Sequence, residues 1–184
     1  MKNLLVAVFF IFFTSLQNIN CQENDNFKFD INRMFTGGNL GLQFGTYTVI
    51  DISPIVGYYF TDKFSAGVGV IYQYYAFKDN AYPLNNFKTN IYGAKTFLRY
   101  HIIQSIFAHA EYEALNLETQ FFDPYNMRHQ TPRFFVHSIL LGGGYRQAMG
   151  DFSALNLMLL YNINETIDSP YRNPIIRIGF DIGF

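Results

Sequence analysis

Large apolar side chains alternate with small or polar ones along most of the chain after residue 33. The last segment is the clearest case, because every second residue is large and apolar: Ile176, Ile178, Phe180, Ile182 and Phe184. The residues between them are charged or small: Arg177, Gly179, Asp181 and Gly183. Successive side chains of a strand point to opposite faces, so this pattern predicts a β-strand with one apolar and one polar face.

The same alternation recurs upstream and predicts about eight strands. It is regular in the segments that start at Ile50, Phe64, Ile106 and Leu155, and less regular at 40–44, 92–100 and 135–145. Tight turns are expected at 61–63, 102–104 and 149–151, and longer links at 78–88, 117–132 and 164–173. Short turns that alternate with long loops are typical of barrels that span an outer membrane, although the link near 45–47 is short.

The sequence therefore predicts an all-β fold, an eight-stranded antiparallel up-and-down transmembrane β-barrel over residues 34–184. The polar faces carry the charges and many glycines, which suits a narrow lumen. We expect nine side chains to form a structural ion-pair network there: Asp51, Lys95, Arg99, His109, Glu111, Glu113, Arg146, Arg177 and Asp181. A secreted lipocalin-like ligand carrier, with the faces reversed, is the alternative barrel.

The first residues are typical of an export signal. Lys2 precedes the unbroken apolar run 4–13, which is too short to span a membrane as a helix but suits a signal peptide. We predict a signal peptide at 1–21, a short lead-in at 22–33 and location in the outer membrane. Cys21 is the one cysteine of the chain, and either cleavage follows it or it carries a lipid.

Composition and net charge argue against nucleic-acid binding. Charged residues make up 15% of the chain, aromatic residues 19%, and the formal net charge is −1. Nucleic-acid binding usually needs a basic patch, so no nucleic-acid partner is expected. Strands favour aromatic side chains, and rings near predicted strand ends suit the two membrane interfaces: Tyr58, Phe60, Phe64, Tyr100, Tyr145, Tyr161 and Phe184.

Four stretches resemble the hairpins of small Gram-negative outer-membrane β-barrel proteins, the OmpA/OmpX-like or porin-like barrel domains. They are 53–69 (SPIVGYYFTDKFSAGVG), 97–100 (FLRY), 142–147 (GGGYRQ) and the ending 178–184 (IGFDIGF). The resemblance implies outer-membrane lipids as surroundings. It also implies that Phe180, Ile182 and Phe184 form the signal read by the barrel-assembly machinery. The family is functionally mixed, so no activity follows from it.

The sequence offers no clear catalytic constellation, metal-ligand spacing or cofactor motif, so we expect a non-enzymatic protein without metal or cofactor. His137 and Ser138 are adjacent, and a strand would place them on opposite faces. Asp123 and His129 are the candidates for an acid–histidine pair, in a loop that is more simply interpreted as solvated. A membrane-embedded lipid-modifying enzyme therefore stays a minor alternative.

The external loops are where binding is expected. Five aromatic residues form the candidate surface for an unidentified extracellular ligand: Tyr82, Phe87, Phe121, Phe122 and Tyr125. The other interpretation is that these rings lie against the outer leaflet. The main hypothesis is a structural or adhesive role through these loops. A narrow channel or carrier for small or apolar solutes is the second, although side chains fill the interior of an eight-stranded barrel.

Overall fold

The computed structural model describes residues 30–43, 47–77, 87–122 and 131–183. A short 3₁₀ helix at Ile31–Arg33 leads into the first strand, and helix α1 (Thr119–Phe122) follows the fifth. The strands are β1 (Met34–Gln43), β2 (Tyr47–Tyr59), β3 (Phe64–Phe77), β4 (Phe87–Ile103), β5 (Ile106–Glu118), β6 (Arg133–Ala148), β7 (Ser153–Asn162) and β8 (Ile175–Gly183). Among the described residues, no helix is long and apolar enough to cross a membrane.

The eight strands form one closed antiparallel barrel in chain order. Each strand pairs with its neighbours in sequence, and β1 pairs with β8 to complete the ring. The predicted fold is therefore confirmed. The segments whose alternation was least regular are longer than predicted: β4 has 17 residues and β6 has 16. Their inward faces carry apolar as well as polar residues, which blurs the alternation on which the prediction relied.

The barrel has two distinct ends. The short-turn end holds the connections at 60–63, 104–105 and 149–152, together with the start of β1 and the end of β8. The long-loop end holds the link at 163–174, helix α1, and the strand ends that flank residues 44–46, 78–86 and 123–130. These positions agree closely with the turns and loops that the sequence predicts. The signal peptide, most of the lead-in, Tyr82, Asp123, Tyr125, His129 and Phe184 lie outside the described residues.

The outward face of the barrel is apolar. The side chains exposed there include Leu40, Ile52, Val68, Val70, Leu98, Leu141, Leu157, Leu159, Ile176 and Ile178. Soluble monomers rarely expose a continuous apolar patch of more than a few hundred Å². Unpaired backbone groups are costly in lipid, and a closed sheet leaves few of them. The outward band thus identifies the transmembrane type of barrel, and it is opposite to what a lipocalin-like carrier requires.

The lumen contains apolar layers that the sequence analysis did not predict. Phe35, Ile55 and Phe97 are buried together near the short-turn end, and Tyr59 packs against them. A larger buried cluster, which includes Tyr75, Leu117, Phe134 and Leu160, occupies most of the long-loop half. The charged side chains lie between these layers.

Glycine makes room for the apolar layer near the short-turn end. A Cβ added to Gly57 would lie 2.2 Å from the ring of Phe35, far inside van der Waals contact. The ring therefore occupies the space that a side chain on β2 would otherwise fill.

Candidate functional site

Arg177 is the centre of the charged layer in the lumen. It lies on β8 and reaches across to β5, where its Nη1 donates to Glu111 Oε1 and its Nη2 to Glu113 Oε1, at 2.8 Å. Nη2 also donates to the hydroxyl of Tyr171 at 3.1 Å and lies 3.9 Å from Asp51 Oδ2. All of these side chains are almost completely buried. Buried charges are tolerated when they are paired in this way.

Further polar side chains extend this network. Lys95 Nζ lies 3.4 Å from Glu111 Oε2, and His109 Nε2 lies 3.2 Å from the same oxygen. Asp51 accepts hydrogen bonds from Ser53 and from Gln73 Nε2, the latter at 2.6 Å. Ser53, Gln73 and Tyr171 were not among the residues predicted for this network. Ser53 and Gln73 share the inward face of their strands with charged or small residues, and that periodicity was a usable signal.

A second ion pair joins β4 to β8. Arg99 Nη1 donates to Asp181 Oδ2 at 2.5 Å, and Asn156 Nδ2 donates to the same oxygen at 2.7 Å. The guanidinium of Arg99 also lies 4.8 Å from the ring centre of Phe107, a distance suited to a cation–π contact. Eight of the nine predicted lumen side chains thus belong to one or the other of these two groups of contacts.

Arg146 is the exception. Among the described residues it pairs with no carboxylate, and its Nη1 donates to the hydroxyl of Tyr59 at 3.0 Å, near the short-turn end. Without Arg146, three cations of the predicted network face its four carboxylates: Lys95, Arg99 and Arg177 against Asp51, Glu111, Glu113 and Asp181. Arg146 does face inward, as alternation predicts, but it lies too near the end of β6 to reach the middle layer.

The seam between β1 and β8 is shorter than the strands that form it. Pairing extends from Phe35 opposite Gly183 to Leu40 opposite Ile178. Residues 41–43 of β1 and 175–177 of β8 continue beyond it without pairing to each other. A cavity of about 210 Å³ lies there, and its lining includes Leu42, Ile176, Asp51 and Arg177. The opening thus connects the apolar outer face with the charged network.

Aromatic rings meet at the long-loop end. Phe87 and Phe121 stack with ring centres 4.6 Å apart and planes 5° from parallel, and Phe122 lies 6.5 Å from Phe87. Tyr75 and Phe77, which the sequence analysis did not select, complete this group at 5.9 and 5.6 Å from Phe87. We call these five residues the aromatic cluster. Both added residues precede the 78–86 link on the inward face of β3, which was an available signal.

The aromatic cluster borders a cleft of about 230 Å³. Its other walls come from the link between β7 and β8 and include Ile167, Ser169, Pro170 and Arg172. Ile167 is 86% exposed, which is unusual for a large aliphatic side chain. The structure therefore brings three of the five predicted loop residues into one concave, partly apolar surface, and the other two are the undescribed Tyr82 and Tyr125.

The remaining predicted residues lie as follows. Phe180 and Ile182 are exposed on the outward face of β8. His137 is outward and accepts or donates a hydrogen bond with the hydroxyl of Tyr112 at 2.7 Å, whereas Ser138 is fully buried in the lumen. The two adjacent residues thus form no dyad. Within the described ranges, no three His, Cys, Asp or Glu side chains are placed to share a metal ion.

Comparisons with known proteins give matches at the level of structure. No family model matches the chain, and no curated protein does. A solved structure described as "De novo design of transmembrane beta-barrels" is similar, with a TM-score of 0.44 and 11% identity over 85% of this chain and 99% of that chain. The N-terminal β-barrel domain of Pseudomonas aeruginosa OprF is also similar, with a TM-score of 0.44 and 12% identity over 83% of this chain and 98% of that chain.

Proposed function

We propose that this protein is an integral barrel of the bacterial outer membrane that acts without catalysis, through the surface formed by its external loops. The apolar outward band supports insertion in lipid, and the apolar run near the N-terminus supports export. The alternation of short turns and long loops supports an orientation with the long-loop end outside the cell.

The aromatic cluster and its cleft are the observation that carries a binding role. Phe121 and Phe122 are half-buried, and Ile167 is largely exposed beside them. Covering exposed apolar surface on a concave face lowers the free energy of the complex, so such surfaces often bind a partner. Aromatic residues are common at these contact points. The cleft therefore fits an apolar or aromatic group presented by another molecule or surface, which is consistent with an adhesive role.

The filling of the lumen favours binding over passage of solutes. Leu117, Phe134 and Leu160 are buried below the aromatic cluster, and the charged network lies beneath them. Eight strands leave an interior that side chains fill, and water-filled channels need about sixteen. A cleft that ends on packed side chains holds a ligand and offers it no path onward.

Orientation is tested by cysteine labelling of intact cells with a membrane-impermeant maleimide. Ile167→Cys marks the long-loop end, and Asp62→Cys marks a position at the short-turn end that is also largely exposed. We expect labelling at 167 in intact cells and labelling at 62 only after the envelope is permeabilised. The parent chain, whose one cysteine is Cys21, is the control. Labelling at 62 alone in intact cells would contradict the orientation.

The adhesive role is tested by measuring how many cells that display the barrel attach to an apolar surface such as hexadecane droplets. We expect the double variant Phe121→Ala and Phe122→Ala to reduce attachment several-fold, because it removes two rings of the cleft. Phe152→Ala is the matched control, since this ring is also exposed but lies at the short-turn end. Equal attachment by the double variant and the parent would rule out the cleft as the contact surface.

A carrier for small apolar solutes is a second candidate, favoured by the opening between β1 and β8. Leu42 and Ile176 flank this opening on the outward side. If solutes enter there, joining Leu42→Cys and Ile176→Cys with a reducible bifunctional thiol reagent should stop uptake of a small apolar dye, and reduction should restore it. Uptake that is insensitive to this cross-link would exclude entry through the seam.

A further inference from the structure

A second cavity lies at the short-turn end, away from the aromatic cluster. It measures about 570 Å³ and is formed by the turns after β2 and β4 and by the last residues of β6. Its lining includes Lys63, His101, Ser105, Tyr145 and Arg146. We call it the lower cavity.

Two cations, Lys63 and Arg146, line the lower cavity together with one carboxylate, that of Asp62. Within the described part of the chain, Arg146 has the hydroxyl of Tyr59 as its one side-chain partner, and Lys63 forms no ion pair. Asp62 also lines the cavity, but its carboxylate is 98% exposed and lies 3.9 Å from the guanidinium of Arg33. The lower cavity is therefore electropositive.

His101 adds an unusual feature on the inner wall. His101 is only 5% exposed, and neither ring nitrogen has a hydrogen-bond partner among the residues described. The ring packs near Tyr59 and Phe107, with ring centres 6.1 and 5.7 Å away. Buried polar groups are nearly always paired, so an imidazole that borders a cavity in this state indicates a missing partner.

We propose that the lower cavity binds a phosphate group. Arg146 offers a planar set of donors, Lys63 a point charge and His101 a ring N–H, and phosphate oxygens accept from all three. The three residues belong to different elements, β6, the turn after β2, and β4, so their donors can approach a tetrahedral anion from several sides. This site lies at the opposite end from the proposed loop surface and does not depend on it.

The level of the lower cavity suggests two sources for the phosphate. Tyr145 lines it and is half exposed on the outward face, and Tyr100 is exposed in the same way near that end. Outward tyrosines near strand ends mark the interface of a membrane, where lipid head groups lie. The phosphate therefore comes either from a phospholipid head group or from a free phosphate compound in the adjoining aqueous space.

The experiment uses the folded barrel in a maltoside detergent, which contains no phosphate. Inorganic phosphate and dihexanoyl phosphatidylglycerol are titrated separately, while the ¹⁵N signal of the His101 imidazole is followed by NMR. We expect the signal to shift on binding. Response to both probes assigns the site to any accessible phosphate, whereas response to the lipid alone assigns it to a head group. A signal that responds to neither overturns the proposal.

Variants separate this site from general attraction to positive charge. Arg146→Gln should weaken binding about tenfold, as the loss of a charge-assisted hydrogen bond implies. Lys63→Gln should weaken it less, and because Lys63 is an exposed turn residue this variant does not endanger folding. Lys88→Gln, an exposed lysine at the long-loop end, should leave binding unchanged. Unchanged binding in both Arg146→Gln and Lys63→Gln, or equal weakening by Lys88→Gln, would overturn the proposal.

Discussion

Two arginines in the lumen differ in what surrounds them. Arg177 lies in the middle of the barrel, contacts Glu111 and Glu113 directly, and is almost fully buried. Arg146 lies at the short-turn end, is half-buried, and donates only to the hydroxyl of Tyr59 among the described side chains. Both are inward residues, on β6 and β8, in strands with the same alternation of apolar and polar residues. Arg177 is neutralised by its network, whereas the charge of Arg146 stays available.

The difference shows how position along a strand separates a structural charge from a candidate binding charge. A buried arginine must be neutralised by partners, and removing it leaves those partners uncompensated. An arginine at the open end of a barrel keeps part of its hydration, so it can remain without a counter-charge until a ligand supplies one. Arg146 lies at the same end of the lumen as the apolar layer of Phe35, Ile55 and Phe97.

The largest expected effect is that of Arg177→Leu. The variant leaves Glu111, Glu113 and Asp51 buried without their shared cation, which should lower the free energy of unfolding by about 3–5 kcal/mol. Unfolding by urea in lipid vesicles, followed by circular dichroism because the chain has no tryptophan, measures this. Arg33→Leu removes a guanidinium from an exposed pair with Asp62 and should cost less than about 1 kcal/mol. Similar losses in the two variants would contradict a structural network.

An intermediate effect is expected from Gly57→Ala, which tests the packing of the apolar layer of Phe35, Ile55 and Phe97 near the short-turn end. The added methyl group would lie 2.2 Å from the ring of Phe35, so the ring must move and stability should fall by about 1–3 kcal/mol. Gly183→Ala is the matched control, because the described atom nearest to its added methyl group would be the backbone oxygen of Phe152, at 3.6 Å. The same urea titration reports both, and equal midpoints would mean that Phe35 does not pack against β2 as described.

The smallest effect on stability is expected from Arg146→Gln. The substitution leaves no buried carboxylate without its counter-charge, so the free energy of unfolding should change by no more than about 0.5 kcal/mol. Heat-modifiable mobility on a gel and the urea midpoint should therefore match those of the parent. A loss comparable to that of Arg177→Leu would show that Arg146 belongs to the structural network after all, and the contrast between the two ends would disappear.

Much of the architecture follows from local sequence features. The alternation in 176–184 places Ile176 and Ile178 outward and Arg177 inward, and the structure has the same arrangement. Turn positions such as 61–63 follow from breaks in the same pattern. The longer β4 was predicted less well, since Ile91 and Phe97 are apolar residues on its inward face. A period of two is a weak signal where both faces are apolar.

The sequence by itself determined the strands, the faces of each strand and the order of short turns and long loops, because these depend on neighbours a few residues apart. Only the closed barrel decided which charges meet. Arg177 and Glu111 are 66 residues apart and lie on β8 and β5, which are not adjacent strands, so their contact exists only across the lumen. Closure and register set those distances, and for the same reason the solitary position of Arg146 could not be derived from the chain alone.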